Sequence, residues 1–191
     1  MEYKILLGLA AAGVGIAAYA FYFRGILAGK TKPHVFTWLI WSLITSIVFA
    51  AQVQKGAGPG AWVTGVTALC TFLVAAIAFK SGRKDIRLLD WFCLAGALLG
   101  LGLWITTNDP LSAVVTVTLV DAIAFLPTFR KAYHKPLEEN ATAFALNSLK
   151  FVFGLAALES YSLATWLYPA SLALTNGAFA LMLLLRRRGW L

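Results

Sequence analysis

Seven nearly continuous apolar stretches run along the chain, at roughly 4–23, 35–53, 60–79, 88–106, 111–129, 141–158 and 163–185. None alternates with a period of two, which argues against the strands of a membrane barrel. About 20 apolar residues is the length at which a helix crosses the hydrocarbon core of a bilayer, so each stretch is expected to be a transmembrane helix. The segments between them are short. "GKTKPH", "QKGAGPG", "KSGRKDIR", "TTNDP", "KAYHKPLEE" and "ESYS" carry the Gly, Pro and charge of turns. No segment is long enough for a separate soluble domain, so one membrane domain is expected.

Composition agrees with the pattern. The 191 residues are 60% hydrophobic and 13% charged, with a mean hydropathy of +0.78. A soluble domain is far less apolar, so the class is an all-α integral membrane protein whose main partner is the lipid bilayer. The two cysteines, Cys70 and Cys93, fall inside predicted helices, where buried thiols are expected rather than a disulfide or a metal site.

The net charge of +8 suggests nucleic acid until its distribution is read. Arg24, Lys30 and Lys32 follow helix 1. Lys80, Arg83, Lys84 and Arg87 separate helices 3 and 4. Arg130, Lys131 and Lys135 follow helix 5, and Arg186, Arg187 and Arg188 follow helix 7. Thirteen of the 16 Lys and Arg thus fall on one side of the membrane, against Lys4 and Lys55 on the other. The positive-inside rule then places the N-terminus outside and the C-terminus in the cytoplasm, in a bacterial inner membrane, with no nucleic-acid partner. Residues 1–20 resemble a signal peptide with "AYA" as its cleavage site, but the next feature argues for a retained helix.

Shifted by 106 residues, the chain superposes on itself without a gap. Phe23-Arg24 falls on Phe129-Arg130, Ser42-Leu43 on Ser148-Leu149, Ala50-Ala51 on Ala156-Ala157, and Lys80 on Arg186. Helices 1–3 and 5–7 are therefore read as two copies of a three-helix unit. Three spans reverse the chain's direction, so helix 4 is needed to bring the second copy back parallel to the first. The expected organisation is 3+1+3: residues 1–87, a linker helix at 88–107, and residues 108–191.

A 3+1+3 arrangement with its N-terminus outside resembles the SWEET sugar transporters and the wider PQ-loop superfamily. That group includes vitamin transporters of the nicotinamide riboside type and, by fold, the KDEL receptors. The family's Pro-Gln pair followed by basic residues is matched in "LPTFRKAYHKP" by Pro127-Thr128, Arg130 and Lys131; the first copy has Phe21-Tyr22 and Arg24 there. The resemblance implies Pro127 as a hinge. It also implies a substrate-facing asparagine on the third helix of each copy, a place held by Asn176 and by Cys70. The family's middle-helix tryptophan is replaced in the second copy by Phe144 and Asn147, a departure from the sugar transporters.

Polar groups inside spans are costly and mark function by default. Asp121 lies near the middle of helix 5 and Lys150 near the middle of helix 6. Two readings stand: an ion pair that neutralises both, or charges that face a wet cavity. Their counterparts in the other copy, Gly15 and Ile44, are neutral, so any charge chemistry is one-sided. Trp38 and Trp41 share a face of helix 2, and Asn147 and Lys150 share one of helix 6. A flat ring opposite a hydrogen-bonding amide suits a ring-shaped solute. The candidate substrate-binding set is Trp41, Ser42, Cys70, Asp121, Asn147, Lys150 and Asn176. Gly96 and Gly100 give helix 4 the spacing for close approach to a helix of this chain or of a second subunit, the latter making a homo-oligomer.

No catalytic constellation, nucleotide-binding loop, cysteine cluster or paired acid and base is present, so no enzyme activity, metal or cofactor is expected. The expected function is transport of a small sugar-, vitamin- or amino-acid-like solute by alternating access. The alternative is a non-transporting receptor or scaffold of the same fold.

Overall fold

The computed structural model describes residues 2–29, 33–81, 86–134, 136–138 and 140–188, with the side chains of residues 81, 127, 131 and 138 excepted. Seven α-helices account for nearly all of them: α1 Glu2–Leu27, α2 Val35–Gln54, α3 Trp62–Ser81, α4 Leu88–Thr107, α5 Pro110–His134, α6 Ala141–Ala156 and α7 Leu163–Arg187. Short 3-10 turns precede α3 (Gly58–Ala61) and α6 (Pro136–Glu138). The protein is thus all-α among the described residues. Six of its helices are long and apolar enough to cross a membrane.

The exception is α6. At 16 residues it is shorter than the apolar run that encodes it, about 24 Å against a hydrocarbon core of ~30 Å. Other parts of the chain satisfy its end. The Lys4 ammonium donates to the Leu158 carbonyl at 2.7 Å, and the Tyr161 hydroxyl donates to the Leu155 carbonyl at 2.7 Å. A second departure concerns α5, which runs past its expected end at 129 to His134. The side chain of Pro127, the expected hinge, lies outside the described residues.

A proline that the sequence reading passed over is better defined. Pro169 lies inside α7 and is buried. Proline has no N–H, so the carbonyl of Thr165, four residues earlier, loses its helical partner. Gln52, fully buried at the end of α2, donates its side-chain amide to that carbonyl at 2.8 Å. In an apolar interior an orphaned carbonyl must find such a donor. The bond also fixes α2 against α7.

Within the bundle α3 packs between α1 and α2, and α7 packs between α5 and α6. Further contacts run from α1 to α6 and from α2 to α5. α4 lies chiefly on α5. Its Gly96 faces Val120, and Gly100 faces the backbone of Ala113 beside Thr116 and Val117. The small-residue face of α4 is therefore used inside the chain.

The two ends of the bundle differ. At the end where α2 meets α3 and α6 meets α7, backbones nearly touch. A Cβ on Gly60 would stand 2.6 Å from Leu158 Cδ2 and 2.8 Å from the Gly154 carbonyl. One on Gly8 would stand 2.7 Å from the Pro59 carbonyl. The amide of Glu159 donates to the Ala57 carbonyl at 3.0 Å, and Lys55 pairs with Asp109 at 3.7 Å. At the opposite end, where Arg24, Lys80, Arg130 and Arg186 lie, rings separate the helices. Tyr22 and Trp38 meet at 4.9 Å, Phe36 and Trp91 at 4.9 Å, and Phe129 and Phe179 at 4.9 Å. Below, these are the tight end and the basic end.

Candidate functional site

A cavity begins at mid-span and widens toward the basic end. Its central chamber, 140 Å³, is bounded by α1, α2, α3, α5, α6 and α7. Two further chambers of 240 and 400 Å³ adjoin it, and Trp41 and Phe144 line all three. The larger one reaches Thr37, Leu89, Asp90 and Thr128, all near basic helix ends. Toward the tight end the lining stops at Thr67 on α3 and Tyr168 on α7. Beyond them lie the close backbone contacts around Gly60 and Gly154.

Five of the seven candidate residues come together here. Trp41, Asp121, Asn147 and Asn176 line the central chamber, and Lys150 lines the adjoining one with Trp41 and both asparagines. The helices deliver them by simple periodicity. Asn147 and Lys150 are three apart on α6, and Trp41 and Thr45 are four apart on α2, so each pair shares a face.

Ser42 and Cys70 do not line the cavity. Ser42 is buried, one residue and about 100° of rotation from Trp41, and Thr45 occupies the face it was expected to share. Cys70 flanks the stripe of Thr67 and Thr71, which face the chamber in its place.

Asp121 and Lys150 do not neutralise each other: among the described residues no ion pair joins them. The Lys150 ammonium sits at 3.3 Å from the Thr67 hydroxyl, 5.2 Å from the Tyr19 ring centre and 4.9 Å from that of Phe151. Its residue is only 2% exposed, and its stem passes 3.8 Å from where a Cβ on Gly15 would stand. Ring faces offer a cation partial compensation for lost water. Asp121 lies with Trp41 in the lining of both the central and the larger chamber. The structure thus favours the reading in which both charges face the cavity.

The asparagines form a directed chain. Asn176 donates its amide to the Leu172 carbonyl at 2.8 Å, so its own oxygen must accept, and Asn147 donates to it at 2.9 Å. The network therefore fixes both amide orientations. It leaves the Asn147 oxygen as an acceptor at the cavity wall.

Aromatic side chains form much of the remaining wall. Tyr19 and Trp38 approach at 6.3 Å, and Phe125 and Phe144, 106 positions later in each case, at 6.0 Å. Phe144 also packs on Phe179 at 4.4 Å. Sequence reasoning missed Tyr19, Thr45, Thr67, Thr71, Phe125 and Tyr168. The signal for the threonines was present as Thr64, Thr67 and Thr71 at helical spacing. It is weak because such hydroxyls usually bond their own helix, as Thr67 does to Val63 at 2.7 Å.

No protein-family model, curated protein or solved structure matches the chain. The geometry of the cavity therefore carries the functional argument.

Proposed function

We propose that this protein is a small-solute membrane transporter in which the cavity is the substrate site and the two ends of the bundle open alternately. The observation that carries this reading is the mid-span cavity. It is walled by both halves of the chain, is lined by Asp121 and Lys150, which form no ion pair among the described residues, extends to the basic end and is shut at the other end by backbone contacts. Polar groups at such depth are expensive, and a packed scaffold has no use for them.

The 3+1+3 organisation is part of the proposal. It is supported by the matching order of contacts, α1–α3–α2 and α5–α7–α6, and by the equivalent pairs Tyr19–Trp38 and Phe125–Phe144. α4 then serves as the linker. On this reading the likeness to the SWEET and PQ-loop transporters extends to rocking of one triplet against the other. On the same reading the basic end faces the cytoplasm by the positive-inside rule, and the widening of the cavity toward that end supports an inward-facing state. The motion would be asymmetric: α7 carries a buried proline at 169, whereas its counterpart α3 has Val63 at the matching position.

Uptake into liposomes over a panel of sugars, vitamins and amino acids tests the proposal. Saturable uptake of one class, lost in Asp121→Asn, is expected. Absence of both binding and flux across the panel would refute it, and binding without flux would favour a receptor.

A further inference from the structure

We infer that the cavity takes a zwitterion, with the cationic group of the solute at Asp121, its anionic group at Lys150 and a flat or apolar body between them. This rests on the transporter reading and names the substrate class of the same site.

The argument begins with charge. Asp121 and Lys150 line adjoining chambers of one cavity and are not paired with each other. Among the described residues the Lys150 ammonium has one hydroxyl in hydrogen-bonding distance, two ring faces and the Cys70 thiol nearby, and no carboxylate ion pair, in a residue only 2% exposed. A buried charge compensated so thinly costs several kcal/mol. A solute carrying one charge relieves one of the two residues and leaves the other. It also enters the repulsive field of the residue whose sign it shares. A neutral sugar relieves neither. A solute carrying both signs satisfies both residues.

The wall between the charges fits the rest of such a solute. Trp41 and Phe144 present apolar ring area common to all chambers. The Asn147 oxygen, fixed as an acceptor by Asn176, can receive an N–H from the cationic group. The places equivalent to Asp121 and Lys150 in the other copy hold Gly15 and Ile44. With a single charge couple present, the solute has one favourable orientation.

The test uses the full-length protein in lipid nanodiscs and isothermal calorimetry. The probes are L-phenylalanine and 6-aminohexanoate as zwitterions with short and long charge separation. Each is accompanied by its amide, which carries only the cation, and its deaminated acid, which carries only the anion; glucose is the neutral probe. At least one zwitterion should bind about tenfold or more tighter than both of its single-charge analogues. Lys150→Met should abolish its advantage over the amide but not over the acid. Asp121→Asn should do the reverse, and Lys150→Arg should keep both preferences. Equal or tighter binding of a single-charge analogue, or no binding of either zwitterion, overturns the inference. So does equal weakening of every probe by both variants, which is what a structural role predicts. Saturable flux of glucose with no zwitterion binding would overturn this inference and leave the transporter reading standing. Absence of flux and binding for every solute would remove both.

Discussion

Around Gly60 and Gly154 the backbones meet closely, with only Leu158 and Val63 side chains packed against the glycines, whereas at the basic end Trp38 with Tyr22, and Phe125 with Phe144, hold neighbouring helices apart. The tight end adds directed polar ties: Gln52 to Thr165, Lys4 to Leu158, and Glu159 to Ala57. The basic end relies on ring stacking, with bonds such as Arg186 to the Tyr133 carbonyl near its surface. Rings can slide and repack with little loss, while a glycine contact or a buried hydrogen bond is either made or broken. The contrast suits a molecule whose tight end has two discrete states and whose basic end adapts to each.

Breaking the close packing should have the largest effect. Gly60→Leu places a branched side chain where even a Cβ would collide with the backbone of Leu158. A loss of roughly 3 kcal/mol is expected for such overpacking, or a shift of the same size toward an open tight end. Thermal melting, with labelling of a cavity cysteine from that side, distinguishes the two. A Cβ on Gly13 of α1 would meet no atom within 4 Å, so Gly13→Ala should leave both readouts nearly unchanged. Equal effects at the two glycines would show that the closure is not where we place it.

Removing the cavity's carboxylate should come next. Asp121→Asn keeps the shape and removes the charge, and flux should fall by at least about tenfold, near 1.4 kcal/mol. Fold stability should change little, because among the described residues Asp121 has no ion-pair partner to strand. A variant that melts early while transporting normally would contradict that assignment.

The Gln52–Thr165 tie predicts a smaller and more specific effect. Gln52→Leu should cost about 1 kcal/mol, the scale of a hydrogen bond between membrane helices. Pro169→Ala restores a backbone N–H to the Thr165 carbonyl, so Gln52→Leu should cost much less in that background. A double-mutant cycle on melting temperatures checks this, and strict additivity would contradict it. The Lys55–Asp109 pair is half-exposed on both sides. Lys55→Ala should change stability by less than ~1 kcal/mol, and less still in high salt.

The helices were legible because a membrane span announces itself by length and apolarity. The differences arose where tertiary partners decide the ending. α6 stops early because Tyr161 takes up the carbonyl of Leu155 in its last turn and Lys4, 154 positions away in sequence, takes up that of Leu158 just beyond it. The charged and amide residues of the cavity were visible because each is anomalous in an apolar span. Tyr168 and Phe125 were not, since an aromatic residue in a membrane helix is unremarkable until the fold shows which way it points. Ser42 was misplaced by one position of helical rotation. The tie from Gln52 to Pro169's orphaned carbonyl required knowing that α2 lies beside α7, which no local pattern contains.

The central claim is that one cavity is reached in turn from both sides of the membrane. Thr175→Cys, combined with Cys70→Ala and Cys93→Ala, places a single thiol in the central chamber at a residue whose hydroxyl bonds only its own helix. A small membrane-impermeant thiol reagent should label it rapidly from the basic side of oriented vesicles and more slowly, but measurably, from the other. Labelling confined to the basic side under every condition would contradict alternating access and leave a one-sided receptor.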